Sequence, residues 1–199
     1  MYEIEKKFHL SDEQQKRLLN GAKLISEQQI SDTYFDDKSH SLTTKDCWLR
    51  KRNGNFELKA GLPGHDMRVI NQYNEITNED EIRERLNIQK TASIDEDLVA
   101  AGCAPFVHCV TTRRKYTKDG FTIDLDEVDY DSDFEYNLAE IELTFEDEAE
   151  RQHAVNKILT FAKKNHLTDE PVRGKVIEYL AQKRPSHYQA LVDAGVVKE

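Results

Sequence analysis

The chain has 199 residues, enough to bury a sizeable core in one domain. Charged residues make up 33% of it and the formal net charge is −10, which excludes a general nucleic-acid binder because phosphate neutralisation needs a clustered excess of Lys and Arg. Cys47, Cys103 and Cys109 lack CxxC spacing, and no apolar run reaches the roughly 20 residues that span a bilayer, so a reduced, cytoplasmic chain with no membrane partner is expected.

The opening MYEIEKKFHL alternates side-chain character and predicts a strand. Ser11 with Gln14 then forms a capping-box pattern ahead of a helix that Gly21 stops. Residues 22–36, rich in Ile, Thr, Tyr and Phe, predict a second strand, followed by a short turn or helix at 39–45. Strands at 47–52 and 55–60 meet at Asn53-Gly54, a dipeptide that supplies the positive φ angles of a two-residue hairpin turn.

A strand near 68–76 precedes helices at about 78–88 and 93–101, the second opened by a Ser93 and Glu96 capping box. Asp119-Gly120 joins strands at 106–117 and 121–128, and a last strand is predicted at 134–145. From about Asp147 the spacing of Ala154, Ile158, Leu159 and Ala162 is helical, and this tail is expected to plug or cover the sheet. The fold class that follows is α+β: a closed or nearly closed antiparallel β-barrel of about eight strands with helices packed outside, as one domain over residues 1–199.

These strands carry charge on one face and bulk on the other. Glu3, Glu5 and Lys7 share a face of the first strand, Arg50 and Arg52 of the third, and Glu57 and Lys59 of the fourth. The pattern recurs in Tyr73 with Glu75, Arg113 with Lys115, Asp124 with Asp126, and Glu140 with Glu142. A solvated outer face explains any one such strand. Repeated acidic pairs beside repeated basic pairs across the set fit a lumen better. Clustered carboxylates suit Mg²⁺, with Mn²⁺ as the alternative ion, while Arg and Lys suit phosphate oxygens.

Glu3-Ile4-Glu5-Lys6-Lys7 reads as an ExExK signature, followed in order by Arg50, Arg52, Lys59, Arg113, Asp124-Leu125-Asp126 and Glu140-Ile141-Glu142. This series resembles the CYTH, or triphosphate tunnel, superfamily over nearly the whole chain. Within it, DTYFD at 32–36, WLRKR with FELK at 48–59, and KVIEYLAQKRPSHY at 175–188 are similar to the thiamine triphosphatases. Class IV adenylate cyclases share the fold, but the His-Phe pair they place before the acidic signature is missing.

The resemblance implies that Glu3, Glu5, Asp124, Glu140 and Glu142 bind metal. It implies that Lys7, Arg50, Arg52, Lys59, Arg113 and Lys175 hold the triphosphate, with Glu140 also beside the substrate. Only resemblance puts Lys175 in the tunnel, since it precedes a predicted helix. Trp48, two positions before Arg50, projects from the same face toward the tunnel mouth. Its ordinary reading is packing; in the thiamine enzymes an aromatic here stacks on the ring system.

The implied activity is Mg²⁺-dependent hydrolysis of thiamine triphosphate by a monomer, with water as nucleophile and Glu75, Glu142 or a second metal ion activating it. The alternatives are an inorganic tripolyphosphatase and a non-catalytic module that binds polyphosphate or nucleotide. Asp126 pairing with an Arg, Lys115 and Glu57 at a wet rim, and Arg114 facing outward complete the expectations.

Overall fold

The structure, a computed structural model, describes residues 2–61, 71–131, 134–168 and 170–197. Its strands are β1 (Tyr2–Phe8), β2 (Lys23–Asp36), β3 (Cys47–Arg52), β4 (Asn55–Gly61), β5 (Asn71–Ile76), β6 (Ala104–Lys118), β7 (Phe121–Asp129) and β8 (Glu135–Phe145). They close into a barrel in the order β1-β5-β4-β3-β2-β6-β7-β8, with β8 pairing back onto β1 and every neighbour antiparallel. Closure removes the unpaired edges that an open sheet of this size exposes. Of the fifth strand expected at 68–76, the first residues lie outside the described ones.

The turns follow local chemistry. Asn53 and Gly54 have φ of 48° and 89°, and Asp119 and Gly120 of 52° and 85°, so both hairpins use left-handed turns that match strand twist. Helix α1 (Asp12–Leu19) carries the full Ser11–Gln14 capping box, and α3 (Ile94–Ala100) the Ser93–Glu96 one. Asn78 caps α2 (Glu79–Leu86) through the Asp80 and Glu81 amides.

The remaining α-helices are α4 (Arg151–Lys164), α5 (Lys175–Lys183) and α6 (Pro185–Asp193). Helix α4 lays Ala154, Val155, Ile158, Phe161 and Ala162 on the outward side chains Ile4, Ile123 and Ile141 of the barrel wall. Ile82, Ile94 and Leu98 of α2 and α3 pack on Leu49, Phe56 and Leu58 in a second outer cluster. Full burial of each such side chain contributes about 1.5–3 kcal/mol.

The apolar core therefore wraps the outside of the barrel, and the lumen is left to polar groups. A third cluster breaks that division: Val176 and Leu180 of α5 and Leu191 of α6 join Tyr34, Trp48 and Tyr73. The tail thus does two things. Helix α4 covers the wall, and the first turn of α5 reaches the lumen.

Candidate functional site

The barrel encloses a cavity of about 310 Å³ whose lining includes Glu3, Glu5, Lys7, Trp48, Arg50, Arg52, Lys59, Glu75, Arg113, Glu140, Glu142 and Lys175. Asp124 is buried on the same face of β7, bonded to Arg113 and Lys115. Every site residue expected from sequence is thereby brought to one lumen, because closing strands of alternating character turns all the charged faces inward together.

The carboxylates converge. Glu3, Glu5 and Glu142 form one group and Asp124, Glu140 and Glu142 another, with a ligand atom from each member within 4.8 Å of the others in its group. The register explains this, since Glu5 stands opposite Glu142 on β8 and Asp124 opposite Glu140. Asp124 Oδ1 is fully buried with no hydrogen-bond partner among the described residues. A buried carboxylate oxygen left without a donor is costly, and an all-oxygen group around it fits a hard divalent cation.

The cations are interleaved with these acids. Lys59 donates to Glu3 at 2.8 Å, and Lys7 pairs with Glu5 and lies 3.6 Å from Glu140. Arg113 bridges Asp124, Asp126 and Glu140, with its bonds to Asp126 at 2.6 Å and to Glu140 at 2.8 Å. Arg50 contacts Glu57 and Glu75, while Arg52 grips Asp32 bidentately at 2.8 and 2.9 Å. Lys175 Nζ donates to Asp32 at 2.6 Å and to Thr111 at 3.2 Å, which ties the start of α5 to the far wall.

Burial sets the electrostatics. It raises the Glu5 and Asp32 carboxyls, but Lys7 and Lys59 outweigh it at Glu5, and Arg52, Lys175 and Arg50 at Asp32, so both lie well below the usual carboxylate range. Glu142 goes the other way. Burial and then the charges of Asp124, Glu140 and Glu3 push it up to about 8, with Lys115 opposing. This crowding of like charges is what a bound cation relieves.

The extras sort as their geometry requires. Asp126 pairs with Arg113, Lys115 reaches Asp124 and Glu142, and Glu57 holds Arg50. Arg114 faces outward, paired with Glu127. Glu75 is exposed and bonds Arg50 at 3.1 Å; it belongs to neither carboxylate group. Trp48 is buried, lines the lumen, and sits where α5 enters, beside Tyr34 and Tyr73.

Sequence reasoning left Asp32 without a lumen role, and likewise Ile30, Tyr34, Val176 and Ile177. The signal for three of them was available: Ile30, Asp32 and Tyr34 alternate along β2, and Asp32 and Tyr34 pair with Arg52 and Arg50. Nothing local announces Val176 or Ile177, whose place depends on how α5 docks.

The profile of the CYTH domain matches residues 1–171. The chain is 30% identical over 217 residues to thiamine-triphosphatase of Macaca fascicularis, covering 100% of this chain and 93% of that protein. It is 29% identical over 213 residues to thiamine-triphosphatase of Homo sapiens, with the same coverage of 100% and 93%. A Pyrococcus horikoshii protein superposes with a TM-score of 0.61 at 23% identity, covering 92% of this chain and 99% of that one. A Hippeastrum protein described as having a dominant triphosphatase activity superposes with a TM-score of 0.51 at 17% identity, covering 91% of this chain and 95% of that one. At these identities the two structural likenesses are of fold.

Proposed function

The chain belongs to the CYTH domain family, and on that premise we propose that it hydrolyses thiamine triphosphate to the diphosphate and phosphate in its lumen, with Mg²⁺ as the ion. One observation carries the reading. A buried cavity holds convergent carboxylates and seven Lys and Arg side chains at once, a combination that suits a polyanion bound together with a divalent cation.

Glu3, Glu5, Asp124, Glu140 and Glu142 would hold Mg²⁺, which when bound neutralises charge on the phosphoryl oxygens and lowers the pKa of bound water. Lys7, Arg50, Arg52, Lys59, Arg113 and Lys175 exchange their carboxylate partners for phosphate oxygens, fixing the chain for in-line displacement. Water attacks the terminal phosphorus in line with its bridging oxygen, that P–O bond breaks to release the diphosphate, and the Glu142 carboxylate takes the proton of the water. Glu75, exposed and bonded to Arg50, orients that guanidinium instead. The reaction is that of a monomer in the cytoplasm.

The six phosphate-holding cations serve inorganic tripolyphosphate as well as an organic triphosphate. The aromatic wall of Tyr34, Trp48 and Tyr73 favours the organic substrate, because a cationic ring against indole gains about 0.5–2 kcal/mol. Substitution Trp48→Ala tests the choice. It is expected to lower kcat/KM on thiamine triphosphate at least about tenfold more than on tripolyphosphate. Equal losses on both substrates would remove thiamine from the assignment and leave the tripolyphosphatase.

A further inference from the structure

Outside the charged lumen, Asp46 holds one member of the aromatic wall in place. It closes the 3₁₀ turn Thr43–Lys45 in a left-handed conformation, φ 55° and ψ 36°. Its N–H donates to the Thr43 carbonyl at 3.0 Å, and its own carbonyl accepts from the Gly61 N–H at 2.9 Å. The backbone is thus clamped from β4 and from the turn. The carboxylate so placed accepts the indole Nε1–H of Trp48 at 2.7 Å.

Two consequences follow from elementary electrostatics. An anion on the indole N–H fixes the ring's orientation and increases electron density on its face, which strengthens its attraction for a cation. The same negative charge is felt at the second aromatic wall, where burial first and then Asp46 hold the Tyr73 phenol well above its ordinary value.

We propose that Asp46 is a positioning and specificity residue, which aligns Trp48 and supplies the anion that selects a cationic organic group at the α5 end of the lumen. This deepens the reading of the lumen as a triphosphatase site and rests on it. The lumen offers three kinds of partner: carboxylate groups for the cation, basic side chains interleaved with them for the phosphates, and aromatic faces backed by Asp46. A triphosphate ester of a cationic heteroaromatic alcohol matches all three. A neutral nucleoside triphosphate matches two and gains only stacking at the third; inorganic tripolyphosphate has nothing to place there.

The test is Asp46→Asn, which keeps an oxygen for the indole N–H and deletes the charge. Steady-state kinetics with Mg²⁺ are compared on thiamine triphosphate, ATP and tripolyphosphate. The ratio of kcat/KM for thiamine triphosphate over tripolyphosphate is expected to fall about tenfold, with the loss in KM, while Asp46→Glu restores most of it. A ratio within about twofold of wild type overturns the inference and leaves the triphosphatase reading standing. Wild-type protein that turns over none of the three substrates overturns both.

If the Asn variant does not unfold cooperatively, wild-type binding decides. Trp48 is the single tryptophan, so its fluorescence reports the site directly. Thiamine triphosphate is expected to bind at least about tenfold tighter than ATP in Ca²⁺, used to slow turnover. Equal affinities overturn the inference.

Discussion

Glu142 belongs to both carboxylate groups, and it is the acid whose proton affinity burial and its neighbours raise most plainly. Replacing it with Gln removes one ligand and one proton acceptor while leaving the volume unchanged. For Glu142→Gln we expect kcat to fall at least about 100-fold, with no loss of thermal stability near neutral pH in the absence of Mg²⁺, because burial and the neighbouring acids already hold the carboxyl largely protonated there. Kinetics and a melting curve check this; unchanged turnover would take Glu142 out of the chemistry. The acids and bases of the lumen were legible in the sequence because strand alternation is a local rule. Asp32 was passed over although it alternates with Ile30 and Tyr34 along β2; what no local rule shows is its Lys175 partner, 143 residues away. Asp46 was invisible for a similar reason, since its value depends on a turn that aims it at Trp48.

At the scale of elements, the barrel wall is held from outside. Helix α4 contributes Ile158, fully buried against the outer face and remote from the charged lumen. Ile158→Ala is expected to cost about 2–5 kcal/mol of stability with KM unchanged in the protein that remains folded. Denaturant unfolding and kinetics below the melting point separate the two effects; a raised KM would mean that the wall transmits to the site. Hairpins and capped helices were readable because Asn53-Gly54, Asp119-Gly120 and the two capping boxes each state a backbone requirement in two to four residues. Closure of β1 on β5 and β8 was expected only from the strand count. The docking of α5 had no sequence signal beyond resemblance, since it depends on Lys175 meeting Asp32 and on Val176 meeting Tyr34 and Trp48.

For the whole molecule, stability and chemistry respond to different conditions. His187 of α6 is buried, stacks on His40 with ring centroids 3.6 Å apart, and accepts or donates at Thr43 at 2.8 Å. Burial first, then His40 and Arg184, lower its pKa from 6.5 to about 4, with Asp36 opposing. The unfolded chain therefore binds this proton at a higher pH than the folded one. The contribution is present above about pH 6.5 and is lost as pH falls toward 4, amounting to about 1–3 kcal/mol. Melting curves of wild type and His187→Gln across that window check it: the variant is expected to show a shallower fall, and parallel curves would contradict the assignment.

Among the described residues no helix is long and apolar enough to cross a membrane, and the charged interior is where the architecture concentrates its unusual chemistry. The most direct test of that interior is kcat/KM on thiamine triphosphate, tripolyphosphate and ATP, each with Mg²⁺ and with the ion chelated. Turnover confined to the Mg²⁺ arm, with thiamine triphosphate preferred by at least about tenfold, is the predicted result. Hydrolysis that survives chelation, or a clear preference for tripolyphosphate, would contradict it.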